Sequence, residues 1–187
     1  MFIDLSIKVS KIFTENAISN EKMASFGHLG THFDIMNKEF PLEFIKLTAI
    51  VFDVCNIEER DIDLSDIFLS EVKSNYFVMF YTGFINKKAY GAKEYFLNHP
   101  QLSNRLIDAL LDKKVAVIGV DCPGIRRGNE HTPIDQYCAD KGVFVVENLC
   151  NLQKLIDGNL FKKFIVYTFP INFEGMSGLP CRVVAEF

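Results

Sequence analysis

Two of the chain's four histidines fall inside one short window, Phe26-Gly27-His28-Leu29-Gly30-Thr31-His32-Phe33-Asp34. Two imidazoles and a carboxylate form a donor set suited to zinc, manganese or iron. His28 and His32 are four apart, a spacing that shares one face of a helix. Gly30 and the β-branched Thr31 between them oppose a helix. His32 and Asp34, two apart, instead point to one face of a strand, and the glycine-bearing turn folds His28 back toward the same point. Spacing alone leaves open the reading in which these histidines are structural.

Further candidates lie downstream. Glu147 closes the apolar run Val143-Phe144-Val145-Val146, which places its carboxylate at a strand end, where sites in layered α/β folds open. Asp135 precedes it by twelve residues, in or just before a helix over Pro133–Lys141. His131 sits in the polar loop Arg126–Thr132 within reach of such a site. Each of these three also reads as a surface charge, a cap or a solvated loop residue. His99, in Asn98-His99-Pro100, reads as a turn residue.

The elements that must position these groups are visible as short runs of β-branched and aromatic residues. Strands are expected at Phe2–Val9, Leu47–Val54, Tyr76–Thr82, Val115–Val120, Val143–Val146, Phe164–Phe169 and Arg182–Phe187. Most are near-continuously apolar, as strands covered on both faces are. A helix is expected over Leu102–Leu111, with Leu102, Leu106, Ala109 and Leu110 on one stripe. Weaker helical patterns cover Ser65–Val72, Pro133–Lys141 and Asn151–Ile156. Strands alternating with helices imply α/β layers, and the absence of repeats or linker-like stretches implies one domain over residues 1–187.

Composition narrows the function classes. A hydrophobic fraction of 49% with 18 Phe builds a core without staples. The net charge of −4 argues against a nucleic-acid partner, which needs a concentrated basic patch. The basic pairs Lys87-Lys88, Lys113-Lys114 and Arg126-Arg127 read as solvated faces. Five scattered Cys with no Cys-x-x-Cys pair exclude a zinc knuckle and suggest reduced thiols. With no signal-like start and no membrane-length apolar run, the expected setting is cytoplasmic, away from the membrane.

The window Gly27–Asp34 resembles the signature His-x-Gly-Thr-His-x-Asp-x-Pro-x-His of the cyclase family, which includes bacterial kynurenine formamidases and isatin hydrolase. Ordered similarities run along the chain: Asp4-Leu5-Ser6, Tyr81-Thr82-Gly83-Phe84, His99-Pro100-Gln101-Leu102-Ser103, Ile118-Gly119-Val120-Asp121-Cys122-Pro123, Val145-Val146-Glu147-Asn148-Leu149 and Gly178-Leu179-Pro180-Cys181-Arg182.

The resemblance implies a swivelling β/β/α-type layered fold, a mixed sheet with flanking helices, and a homodimer or homotetramer. It also implies metal ligation by His28, His32, Asp34 and Glu147, with Asp135 standing where the family carries a further histidine. Zn2+ is the first expectation for the ion and Mn2+ the second. The family's Pro and final His correspond to Met36 and Lys38 here. The implied activity is hydrolysis of a C–N bond in a small amide, formamide or lactam, with Lys38, Glu147 and His131 as catalytic groups. The alternatives are a metal-dependent binding protein without turnover, and a cyclase or dehydratase using the metal as a Lewis acid. Charge balance suggests one ion at His28, His32 and Asp34, with the Lys38 ammonium near the place of a second ion and paired with Asp135 or Glu147; a two-metal centre with Lys38 turned outward is the rival.

Overall fold

A computed structural model describes residues 1–18 and 26–187. Its strands are β1 (Phe2–Asp4), β2 (His32–Asp34), β3 (Lys46–Asp53), β4 (Phe77–Tyr81), β5 (Val117–Val120), β6 (Phe144–Glu147), β7 (Phe161–Pro170) and β8 (Gly178–Glu186). The α-helices are α1 (Lys11–Ile18), α2 (Phe84–Lys87), α3 (Asn104–Asp112), α4 (His131–Asp140) and α5 (Gln153–Ile156).

The strands lie in the order β1-β8-β2-β6-β5-β4-β3-β7, and a further β8–β7 pairing closes the sheet on itself. Strands β3, β4, β5 and β6 are mutually parallel, whereas β2, β7 and β8 join antiparallel. Closure is made by β8, which meets β2 through Gly178–Pro180 and β7 through Cys181–Glu186. The result is a mixed β-barrel flanked by helices, in keeping with the layered α/β fold expected.

Alternation along the strands divides the core in two. Leu47, Ala49 and Val51 of β3 turn inward with Phe33, Phe77, Met79, Val117, Val146, Val166 and Val183 to fill the barrel. Ile50 and Phe52 turn outward with Val78, Phe80, Ile118 and Val145, beneath Leu106, Ile107 and Leu110 of α3. Both faces of the parallel strands are therefore buried, which explains their unbroken apolar runs. Ser103 caps α3 by accepting a hydrogen bond from the Leu106 N–H at 3.1 Å.

Three expectations need correction. Ser65–Val72 forms two 3-10 turns, Leu64–Asp66 and Leu69–Glu71, rather than one helix. Asp63 and Asp66 close a reciprocal capping box at the start of the first turn, and Ile67 leaves that turn in extended backbone, φ −132 and ψ 159. The first strand ends at Asp4 rather than Val9, because beyond it the Ile7 N–H donates to Thr31 Oγ1 at 3.0 Å instead of to a strand. Arg126 is not a solvated base: it is 9% exposed and donates to Glu130 Oε2 at 2.8 Å, Asp61 Oδ2 at 2.6 Å and the Leu102 carbonyl at 2.9 Å.

Candidate metal centre

The short strand β2 carries His32 and Asp34 on one face and Phe33 on the other, all three buried. Gly30, at φ +70, turns the chain just before it and brings His28 back over the strand. Gly27, at φ +78, lies so close to Gly178 that a Cβ would sit 2.0 Å from the Gly178 carbonyl oxygen, so no larger residue fits where the turn meets β8. Antiparallel pairing of β2 with β6 sets His32 opposite Glu147. Helix α4 supplies His131 and Asp135 from its first turns, four residues apart and so on one face. Arg126, tied to Glu130, braces the loop that delivers His131.

These side chains form two adjoining groups, His28/His32/Asp34 and Asp34/His131/Asp135/Glu147, with donor atoms within 4.8 Å of one another in each. His28 Nδ1 lies 2.9 Å from Asp34 Oδ1 and 3.1 Å from His32 Nε2. His32 Nε2 lies 3.6 Å from Asp34 Oδ1 and 3.5 Å from Glu147 Oε2. His131 Nε2 lies 3.2 Å from Asp135 Oδ2 and 3.0 Å from Glu147 Oε1. Among the described residues, the buried oxygens Asp34 Oδ2 and Asp135 Oδ1 have no hydrogen-bond partner.

Burial and charge oppose each other across the cluster. Burial disfavours charge on His32, yet Asp34 and Glu147 outweigh it and raise the imidazole pKa to about 9. Burial likewise opposes charge on Asp34, but the His32 and His28 rings hold its carboxyl well below the usual range. Asp135 is pushed well above its ordinary value by burial and by the charges of Asp34 and Glu147. Three buried carboxylates, two of them with an oxygen unpartnered among the described residues, carry a large desolvation cost unless a cation offsets it. Imidazole and carboxylate donors so grouped fit a divalent transition metal, or two.

A second layer fixes His32. Its Nδ1 lies 2.9 Å from the Gly30 carbonyl and donates to it, which aims Nε2 at the carboxylates. The same carbonyl accepts the Asn148 side-chain amide at 2.9 Å. Tyr95, fully buried, donates its hydroxyl to Asn148 Oδ1 at 2.7 Å. Thr31 Oγ1 donates to the Asn148 carbonyl at 2.7 Å. One residue beside Glu147 thus ties the β6 end to the histidine-bearing turn, and such partners set the tautomer and basicity of a ligating imidazole.

The cluster lies at the floor of a cavity of about 570 Å³. Its walls include Phe26, Tyr90, Phe96, His99, Pro123 and Ser177. His99, expected as a turn residue, lines the cavity: it is 3% exposed, and burial, with His131 and Arg127 nearby, lowers its pKa to about 4. Ser177 Oγ stands 2.9 Å from His28 Nε2. Ser177, Tyr90 and Tyr95 stand in stretches without a chemical pattern and were not singled out from the sequence.

Lys38 is placed otherwise than expected. Its Nζ lies 2.7 Å from Asp140 Oδ1 on the outer side of α4, not beside Asp135 or Glu147. Asp140 is five residues beyond Asp135, ~7.5 Å farther along the helix. The cause is local: Met36 adopts φ +58, and the Ile35 and Met36 N–H groups both donate to the Ser177 carbonyl. The chain therefore turns away from the cavity after Met36, which still lines it.

A family model described as "Putative cyclase" matches residues 3–127. No curated protein matches. Among solved structures, one described as a potential metal-dependent hydrolase with cyclase activity superposes with a TM-score of 0.76 at 21% identity, covering 99% of this chain and 96% of the other. One described as a predicted metal-dependent hydrolase from Bacillus stearothermophilus gives 0.73 at 19% identity, covering 99% and 97%. An isatin hydrolase bound to the product analogue thioisatinate gives 0.69 at 20% identity, covering 83% and 70%. Relatives at these identities establish the shared fold.

Proposed function

The chain belongs to the cyclase family, and from its buried donor cluster we propose that it is a two-metal hydrolase cleaving a C–N bond of a small amide, formamide or lactam. The observation that carries this reading is the pair of adjoining donor groups sharing Asp34. His28, His32 and Asp34 would hold one divalent ion; His131, Asp135 and Glu147, with Asp34 between the groups, would hold a second. Zn2+ suits this donor set best, with Mn2+ the alternative. Three carboxylates meet here and the Lys38 ammonium is drawn off to Asp140, so a single divalent ion would leave one negative charge unbalanced.

Bound divalent ions supply Lewis acidity, polarising a carbonyl and making water more acidic. The chain does the rest. Glu147, with one oxygen toward His32 and the other toward His131, accepts the proton of the attacking water and returns it to the departing nitrogen. Phe26, Phe96 and Pro123 give the cavity an apolar wall against which a flat substrate orients. Lys38 takes no part in this chemistry, and His131 acts as a ligand rather than as a proton carrier.

The test is to load the protein with Zn2+ or Mn2+ and follow product formation from formamides, imides, lactams and lactones. Turnover that disappears in His32→Ala while the fold persists supports the hydrolase. A second reading draws on Met36 and Lys38, which stand where the family signature has Pro and His: a metal-dependent binding protein. Thermal stabilisation by a ligand without any turnover favours that reading.

A further inference from the structure

The Tyr90 hydroxyl stands at the cavity wall and accepts a hydrogen bond from the Gly30 N–H at 2.8 Å. That is its one hydrogen bond among the described residues, so its own proton is uncommitted. The neighbouring phenol of Tyr95 differs, being spent on Asn148. The Tyr90 ring is held edge-on between Phe13 and Tyr95, with centroids 5.3 and 5.6 Å away. Gly91 follows it at φ +87, and a Cβ there would meet Phe13 at 2.3 Å, so the backbone is pressed against this aromatic clamp. The hydroxyl cannot swing away without leaving both stacks and the Gly30 N–H.

Burial and the charge of Glu147 raise the phenol above its ordinary pKa, opposed by the Gly30 N–H. It therefore keeps its proton at neutral pH. A hydroxyl that accepts a backbone N–H is polarised into a better donor, and a fixed donor at a reacting carbonyl acts on charge that develops there.

We infer that Tyr90 is a further catalytic residue, whose hydroxyl donates a hydrogen bond to the substrate oxygen that gathers negative charge during attack on the carbonyl. This rests on the hydrolytic reading of the same cavity. The phenol gives a hydrogen bond and keeps its proton, so it needs no return step between turnovers. It also supplies a polar contact that this chain's departure from the family signature at Met36 and Lys38 leaves to be made elsewhere.

The experiment compares wild type, Tyr90→Phe and 3-fluorotyrosine at position 90, all metal-loaded. Metal content and thermal midpoint are measured first; then kcat and KM on the substrate panel, and the Kd for thioisatinate as a carbonyl-bearing probe. Tyr90→Phe keeps the aromatic clamp, so metal content should match wild type. Its kcat should fall about 100-fold with little change in KM, and thioisatinate should bind about 10-fold more weakly. The fluorinated residue, which still accepts from Gly30, should retain most of the activity. Parent-like kcat and Kd in Tyr90→Phe overturn the assignment and leave the hydrolase intact. Absent turnover in wild type with the Kd difference preserved removes the hydrolase and keeps the donor. A metal-loaded wild type that neither turns over nor binds the probe overturns both.

Discussion

His32 and Glu147 face each other across the antiparallel ladder of β2 and β6, with Nε2 and Oε2 3.5 Å apart. A slip of β2 by one residue would turn His32 to the opposite face and away from Glu147. The pairing is held by Asn148, which anchors the Gly30 carbonyl and the Thr31 hydroxyl to the end of β6. Metal affinity and strand register are therefore one property.

Stoichiometry tests the two-group arrangement. The purified, metal-loaded protein should carry two equivalents by elemental analysis. His131→Ala or Asp135→Asn should lower this to one, whereas His32→Ala should empty the first group. Lys38→Ala should leave the count at two, because its ammonium pairs with Asp140.

Tyr95→Phe probes the second layer. The change removes the hydroxyl that orients Asn148 and leaves Asn148 Oδ1 unpaired. Metal affinity should drop about 10-fold, the lower end for loss of an outer-layer partner. A competition titration against a chelator measures it, and an unchanged Kd would separate Tyr95 from the site.

His99 makes stability depend on pH. Its pKa is lowered to about 4 from 6.5, so between these values the unfolded chain binds more protons than the folded one. Stability from this group is complete above pH 6.5 and is lost as pH falls toward 4. The loss is at most roughly 3 kcal/mol. Urea unfolding of chelator-treated protein at pH 7.0, 5.5 and 4.5 should show a steeper decline in wild type than in His99→Gln.

Asp121 is a structural anchor. Its carboxylate accepts the Thr82 N–H at 3.0 Å, the Thr82 hydroxyl at 2.5 Å and the Gly83 N–H at 2.8 Å, all buried. Asp121→Ala should cost about 3 kcal/mol by orphaning these donors, and Asp121→Asn distinctly less. Denaturant midpoints decide, and equal losses would remove the hydrogen bonds as the cause.

The legible part of the site was the part made by neighbours in sequence. A glycine turn and a spacing of two are enough to expect His28, His32 and Asp34 to converge, and the donor atoms do lie within 4.8 Å. Glu147 was legible as the end of an apolar run. What could not be read is long-range: the β2–β6 register, and the helical face that adds His131 to Asp135. Lys38 was misjudged because nothing in the residue types announces φ +58 at Met36. Tyr90 follows Lys87-Lys88-Ala89 with no periodicity to mark it. Asp121 and Thr82-Gly83 match the family pattern, and their mutual hydrogen bonds give that match an architectural reason.

The seam made by β8 has a consequence for how the protein is born. β2 is made well before β8, but its second edge is covered only when Gly178–Pro180 arrives, and the same strand then seals against β7. Until β8 is threaded in, the nascent chain holds its histidines without the wall that orders them. Capture of cations should therefore wait until β8 has been made, and chains lacking Gly178–Glu186 should emerge as apo species exposed to proteolysis.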